Sequence, residues 1–483
     1  MEVRIESDLL GEKEVPRDAY YGIHSVRASG NFPVSGLKAH PALIRAMAQV
    51  KQAASRANVG AGLLPPEVGQ AIEQAAAEVA GGGLADQFIV DAFQGGAGTS
   101  THMNVNEVIA NRAIELIGGE KGDYRLVHPL EHVNLSQSTN DVYPTALRIA
   151  AMGMVLAFSE VLAGLQAALQ QKESEFAGIL KLGRTELQDA VPVTLGQEFS
   201  AYAEAIARDR WRLYKVEERL RQVNLGGTAV GTGLNAEPRY IFTVVEELRA
   251  ISGFGLARAE NTMDLTQNAD VFVEVSGLLK AAAVNLAKIA GDLRLLSSGP
   301  LGGLAEIRLP EMQPGSSIMP GKVNPVIPEL VTQVSCQVMG NDQVITWAAA
   351  AGQLELNAFL PLIAHNLLQS LDLLIHTVKV FSEKCVEGIR ADENRCRRWL
   401  EESHSFITAL APYLGHELAA ELVRKARLEG RPLKEVILDA GLFKAEDLEV
   451  LCTPGELTRP GVAGARFLRK NKERGDEHGR WIT

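Results

Sequence analysis

Leu265 to Ser297, LTQNADVFVEVSGLLKAAAVNLAKIAGDLRLLS, is the stretch on which the reading of the fold turns. Val271, Val275, Leu278, Ala282, Leu286, Ile289, Leu293 and Leu296 recur at steps of three and four, which is one stripe of a helix. Gly299-Pro300 ends the pattern. A helix of about 30 residues is about 45 Å long, more than one compact domain usually accommodates. Similar patterns cover about 146–178, 194–223, 326–348 and 352–388. Many of their turns carry Ala, Leu and Val on more than one side. That predicts burial on several faces, in a bundle or between subunits, and therefore a homo-oligomer. The chain reads as mainly α.

Outward from these helices the pattern shortens. Residues 1–40 alternate brief segments with turn signals, as a small irregular or β-containing start would. Past about residue 395 short amphipathic units are punctuated by Pro432, Gly441, Pro454, Pro460 and Gly461. Three domains are expected: an N-terminal domain 1–139, a central long-helix bundle domain 140–394 and a small C-terminal domain 395–483. From Arg466 the C-terminal end is charged and reads as a partly disordered tail.

Composition narrows the partners. The 483 residues are 46% apolar and 22% charged, as in an ordinary soluble globular protein. A formal charge of −11 argues against a nucleic-acid or anionic-membrane surface. An anionic substrate would then need locally placed positive groups. Cys336, Cys385, Cys396 and Cys452 form no CxxC pair and no zinc spacing, so free thiols in a reducing compartment are expected. The acidic start Met1–Asp8 is unlike a signal peptide, and no uninterrupted apolar run reaches bilayer length. A cytoplasmic enzyme with no membrane or nucleic-acid partner is the expectation.

Four polar segments interrupt the helices. Gly315-Ser-Ser-Ile-Met-Pro-Gly-Lys-Val-Asn-Pro325 packs glycines, prolines, two hydroxyls, a lysine and an asparagine into one loop. Lys322 offers a point charge for a carboxylate or phosphate. Asn324 followed by Pro325 reads as an N-cap and first helical residue, whose opening amides would add to an anion site. Gly95–Thr101 precedes another helical pattern but lacks the GK[ST] ending of a nucleotide loop. In Ser136–Asp141, Asn140 or Asp141 can cap a helix, leaving the Ser138 and Thr139 hydroxyls for a ligand. Gly183–Pro192 reads as an unusually polar connection between two long helices. The ten histidines show no HExxH and no close pairing with cysteine, so no metal site is expected. Hydroxyls, amides and one ammonium suit a cofactor-free reaction on a small polyanion, with hydrogen bonds stabilising developing negative charge.

The Gly315–Pro325 segment resembles the signature loop of the aspartase/fumarase superfamily, over all eleven residues. The resemblance runs from Gly11-Glu12-Lys13-Glu14-Val15-Pro16 to Glu456-Leu457-Thr458-Arg459-Pro460-Gly461, nearly the whole chain. Asp86–Asp91, Gln94–Ser100 and Val326–Glu329 are most similar to the aspartate ammonia-lyase branch; class II fumarases are the second reading. The resemblance implies a three-domain helical chain whose long helices form a shared bundle in a homotetramer, each active site drawing segments from three chains. It implies reversible anti-elimination of ammonia from L-aspartate to give fumarate, through an aci-carboxylate and without an organic cofactor.

By the same resemblance Ser316 is the general base on a mobile loop, with Ser317 beside it among the substrate-binding residues. Thr99, Ser138 and Thr139 stabilise the aci-carboxylate. Lys322 and Asn324 hold the other carboxylate, and Asn140, Thr185 and Glu186 surround the amino group. Four positions depart from the pattern. Glu186 stands where relatives commonly have His or Gln, and His102 where Asn is usual. Leu301 replaces a common Arg and Leu360 a frequent Glu.

Overall fold

The computed structural model describes residues 2–465, so the tail from Arg466 lies outside the described residues. The chain is mainly helical. It divides into two compact units, Met1–Val161 with Asp209–Val284 and Gln333–Thr377, and Leu162–Arg208 with Asn285–Thr332 and Val378 onward.

The first unit starts with an antiparallel hairpin, Val3–Asp8 against Gly11–Pro16. Its centre is the helix Pro41–Gly60, which packs on Pro66–Ala80, Thr99–Leu116 and Pro238–Ser252. Pro41 occupies the first turn, and His40 Nδ1 accepts the Ala42 amide at 3.2 Å, which explains where this helix starts. Leu43, Ile44, Met47 and Val50 are buried on it, and so are the polar Lys51, Ser55 and Asn58. Ala46, Ala48, Ala53, Ala54 and Ala57 leave room for neighbouring helices on several sides. The Thr99–Leu116 helix is pinned by buried Glu107, whose carboxylate accepts the Gly22, His24 and Ser25 amides at 2.9, 2.7 and 3.1 Å. It thereby caps the helix Ile23–Asn31 from outside.

In the second unit, Phe406, Leu410, Leu422, Leu433, Val436, Ile437, Leu448 and Leu451 form a separate apolar cluster among short helices. An antiparallel hairpin, Leu180–Thr185 against Gln188–Thr194, is its main β element.

The long helices are Thr139–Glu175, Asp270–Leu296, Val326–Ala350 and Leu360–Lys384. The stretch from Leu265 is not one helix. Thr262–Gln267 is a short helix capped by Asn261, Asn268 is extended (φ −97°, ψ 136°), and Asp270 opens the long one. Asn and Asp bond readily to local backbone, which favours a stop and restart over continuation. The expected stripe is buried at Val275, Ala282, Leu286, Ile289, Leu293 and Leu296, but Phe272 and Leu279 are buried where Val271 and Leu278 were expected. Thr139–Glu175 is long and apolar enough by length and composition alone to cross a membrane, although Arg148 and Glu160 interrupt its apolar run. Its Val142, Leu147, Phe158, Leu162, Leu165 and Leu169 are buried within the chain, as in a core helix.

Candidate active site

In the first unit, two helix N-termini lie side by side. Gly96 and Gly98 (φ +87° and +93°) and Ala97 (φ +56°) turn the chain into Thr99–Leu116, leaving Thr99 exposed at its start. Gly98 meets a second constraint, since a Cβ there would lie 2.2 Å from the Tyr143 ring. Tyr143 belongs to the helix that Thr139 opens, and His102 Nδ1 lies 2.8 Å from Thr139 Oγ1. Both helix dipoles present their positive ends here, which favours an anion.

The start of the Thr139 helix differs from expectation in its cap. Ser138 Oγ accepts the Asn140 amide at 3.2 Å, and Asp141 Oδ1 accepts the Ser138 amide at 2.9 Å. This is a reciprocal capping box with Ser138 as the cap, where Asn140 or Asp141 had been expected. Asn140 instead donates from Nδ2 to the Ala229 carbonyl at 2.7 Å. Asp141 is fully buried, and its Oδ2 accepts the Gly226 and Thr228 amides at 3.1 and 3.0 Å. Burial pushes its carboxyl up to about 6, against the pull of the three amides and of Lys51.

Lys51 was not singled out from the sequence. Its ammonium is fully buried behind these N-termini, 2.6 Å from His102 Nε2, 3.1 Å from Asn134 Oδ1 and 2.7 Å from Gln137 Oε1. Burial drives its pKa well below the ordinary lysine value, and the Asp141 charge opposes that. Burial, reinforced by the Lys51 charge, also holds His102 neutral. The only signal in the sequence is a lysine inside the apolar run AMAQVKQAA, which snorkelling would explain equally well.

In the second unit, Thr185 and Glu186 sit exposed at a hairpin tip, so the segment Gly183–Pro192 is strand and turn rather than a plain inter-helix loop. The alternating Leu180, Leu182, Val191 and Val193 were a strand signal that the polar residues obscured. Glu186 and Leu187 occupy the two central turn positions at φ +54° and +61°. A turn of that hand favours Asn-Gly. The hairpin is anchored by a buried ion network: Lys181 Nζ lies 2.7 Å from Glu198 Oε1 and 3.0 Å from Glu306 Oε2, and Arg184 Nη1 lies 2.8 Å from Glu306 Oε1.

The Gly315–Pro325 loop closes on itself. The Gly315 amide donates to the Lys322 carbonyl at 2.7 Å, and Asn324 Nδ2 donates to the Gly315 carbonyl at 2.8 Å. A Cβ on Gly315 would sit 2.7 Å from the Asn324 nitrogen and 2.8 Å from the Lys322 oxygen. Ser316 Oγ accepts the Ile318 and Met319 amides at 3.2 and 2.9 Å. Ser317 and Lys322 are exposed. The helix begins at Val326, so Asn324 secures the loop instead of serving as the expected N-cap.

The structure thus gathers Thr99, Ser138, Thr139 and Asn140 around one pair of helix ends. Among the described residues, no hydrogen bond or ion pair joins the hairpin tip at Thr185 to the Ser316 loop. Backbone strain falls beside three of the segments: Ala97, Ser136 (φ +63°) and Glu186 are left-handed residues other than glycine. Of the remaining departures, Leu301 is exposed and Leu360 is buried. Among the described residues no group of three or more His, Cys, Asp and Glu is arranged to hold a metal ion.

A lyase family model matches residues 11–340, and a fumarase C C-terminal model matches residues 406–459. An aspartate ammonia-lyase of a Bacillus species is 52% identical over 465 residues, 96% of this chain and 99% of its own. The crystal structure of a fumarate lyase:delta crystallin from Brucella melitensis, bound to cobalt, superposes with a TM-score of 0.90 at 50% identity, covering 93% of this chain and 98% of that one. A class II fumarase from Schistosoma mansoni gives 0.89 at 35% identity, over 95% and 100% of the two chains.

Proposed function

The chain belongs to the aspartase/fumarase superfamily of lyases, and from that premise we propose that it is an aspartate ammonia-lyase, converting L-aspartate reversibly to fumarate and ammonia. The carrying observation is Ser316, whose hydroxyl oxygen already accepts two backbone amides. A serine hydroxyl is a weak base at neutral pH. Two fixed N–H donors aimed at its oxygen favour the alkoxide, the form able to take a proton.

In this reading Ser316 removes the proton next to the side-chain carboxylate, which becomes a doubly charged aci-carboxylate. Thr99, Ser138 and Thr139, at the positive ends of two helices, hydrogen-bond that dianion. Lys322 pairs with the other carboxylate as a point charge, with Asn324 and Ser317 beside it. Asn140, Thr185 and Glu186 face the amino group that leaves. Closure of the loop over substrate would exclude water. The segments come together from several chains of a homotetramer. Half-exposed apolar residues on the long helices, Val284, Leu295, Leu330 and Trp347 among them, support such a shared bundle. A three-domain division at 1–139, 140–394 and 395–483 accompanies it, supported by the separate apolar cluster after Phe406. Four free cysteines fit a cytoplasmic location.

The test offers the purified protein L-aspartate, L-malate and argininosuccinate separately and follows ultraviolet absorbance of fumarate. Activity on L-aspartate is expected, with a loss of about 10²–10⁴-fold in Ser316→Ala at unchanged folding. Activity on L-malate alone would move the assignment to a fumarase, the chemistry named for the Schistosoma relative.

A further inference from the structure

We infer that His102, oriented by Lys51, is a positioning residue that makes Thr139 an obligate hydrogen-bond donor toward the substrate's developing negative charge. The inference rests on the reading above only for the identity of that charge.

The argument is a count of hydrogens. A lysine ammonium has three N–H groups and no acceptor. Lys51 Nζ has three partners, His102 Nε2, Asn134 Oδ1 and Gln137 Oε1. The two amides turn their oxygens inward because their nitrogens are engaged elsewhere. Asn134 Nδ2 donates to the Gln137 carbonyl at 3.3 Å, and Gln137 Nε2 donates to the carbonyls of Val133 and Leu135 at 3.1 and 3.0 Å. In the ammonium form, which the nearby Asp141 charge favours, the third hydrogen goes to His102 Nε2, which then accepts.

A neutral imidazole that accepts at Nε2 carries its proton on Nδ1. That N–H points at Thr139 Oγ1, 2.8 Å away, so the threonine oxygen accepts. Its own hydroxyl proton is then free for a ligand, and that hydroxyl has no other hydrogen bond among the described residues. The dipoles of the chain align so that a buried positive charge polarises the hydroxyl that faces the anion. Asp141 is the opposing charge nearby, and its three amide donors leave it turned toward the backbone. A neutral Lys51 would reverse the chain. His102 would donate from Nε2, and Nδ1 would take the threonine hydroxyl proton.

The two arrangements differ in one observable, the histidine tautomer. The full-length protein labelled with ¹⁵N-histidine, without substrate, gives the His102 resonances by difference from His102→Asn. A protonated Nδ1 with a bare Nε2 is expected; the reverse tautomer or an imidazolium overturns the inference. Kinetics on L-aspartate supply the second readout. His102→Leu is expected to lower kcat about 10- to 100-fold with KM within about threefold, because the contact strengthens with developing charge. His102→Asn puts an amide N–H near the place of Nδ1 and should stay within about threefold of the parent. Equal losses in both variants, or a change confined to KM, would mean that His102 only packs. Failure of the parent protein to release fumarate from L-aspartate would sink the proposed reaction but leave the tautomer result to decide this inference.

Discussion

Ser138 and Asp141 hold each other in place: the Ser138 amide donates to Asp141 Oδ1 at 2.9 Å, and Ser138 Oγ accepts the Asn140 amide within the same turn. The carboxyl thereby connects the helix end bearing Ser138 and Thr139 to the Gly226–Thr228 turn. Its stability effect follows from the sign of its shift. A folded value of about 6 lies above the ordinary 3.8, so the folded state disfavours the charged form. The contribution is most favourable below pH 4 and is lost as pH rises through about 6, on the order of 3 kcal/mol in all. Asp141→Asn removes this titration but leaves an amide donor without an acceptor. The variant is expected to be less stable than the parent at pH 4, with the gap narrowing by about 3 kcal/mol toward pH 8. Denaturant unfolding at the two pH values checks it, and a gap independent of pH would contradict it.

Glu306 is buried between Lys181 and Arg184, and its removal strands positive charge under the hairpin. Glu306→Gln is expected to lower stability by about 3 kcal/mol or more. A urea midpoint close to that of the parent would show that the network is not a structural anchor.

Gly315 has no space for a methyl group, because the Asn324 nitrogen and Lys322 oxygen occupy it. The loop itself is largely exposed, so the stability effect should be small while its closed geometry is lost. Gly315→Ala is expected to reduce kcat at least about tenfold with the thermal midpoint within about 2 °C. Circular-dichroism melting beside steady-state kinetics separates the two effects.

Glu186 places a carboxylate at the hairpin tip where the proposed substrate ammonium is received. Glu186→Gln keeps shape and removes charge, so KM for L-aspartate should rise about three- to tenfold. Unchanged aspartate kinetics would remove Glu186 from amino-group recognition.

Much of this was legible in the chain. Helical periodicity located the long helices to within a few residues for Asp270–Leu296 and Val326–Ala350, since a buried stripe demands regular spacing. It overran where local hydrogen bonding won, at Asn268, and it misread the hairpin because two-strand alternation was masked by charged residues. The loops carrying Thr99, Ser138 and Ser316 stood out because glycines and prolines interrupt a helical pattern and hydroxyl residues favour its ends. What each side chain binds did not stand out. Asn324 does not cap the helix it was expected to cap, and Ser138 takes the cap expected of Asn140 or Asp141, because a cap is chosen by whichever acceptor the folded backbone brings within reach.

The sequence by itself determined the helical class and the polar loop that carries Ser316 and Lys322, both of which depend on residue type and local spacing, and its resemblance to known chains pointed to the superfamily. Only the tertiary structure decided that Lys51 lies buried against His102 and that His102 reaches Thr139. Those three residues belong to separate helices, and their contact follows from packing and desolvation, which no local pattern encodes.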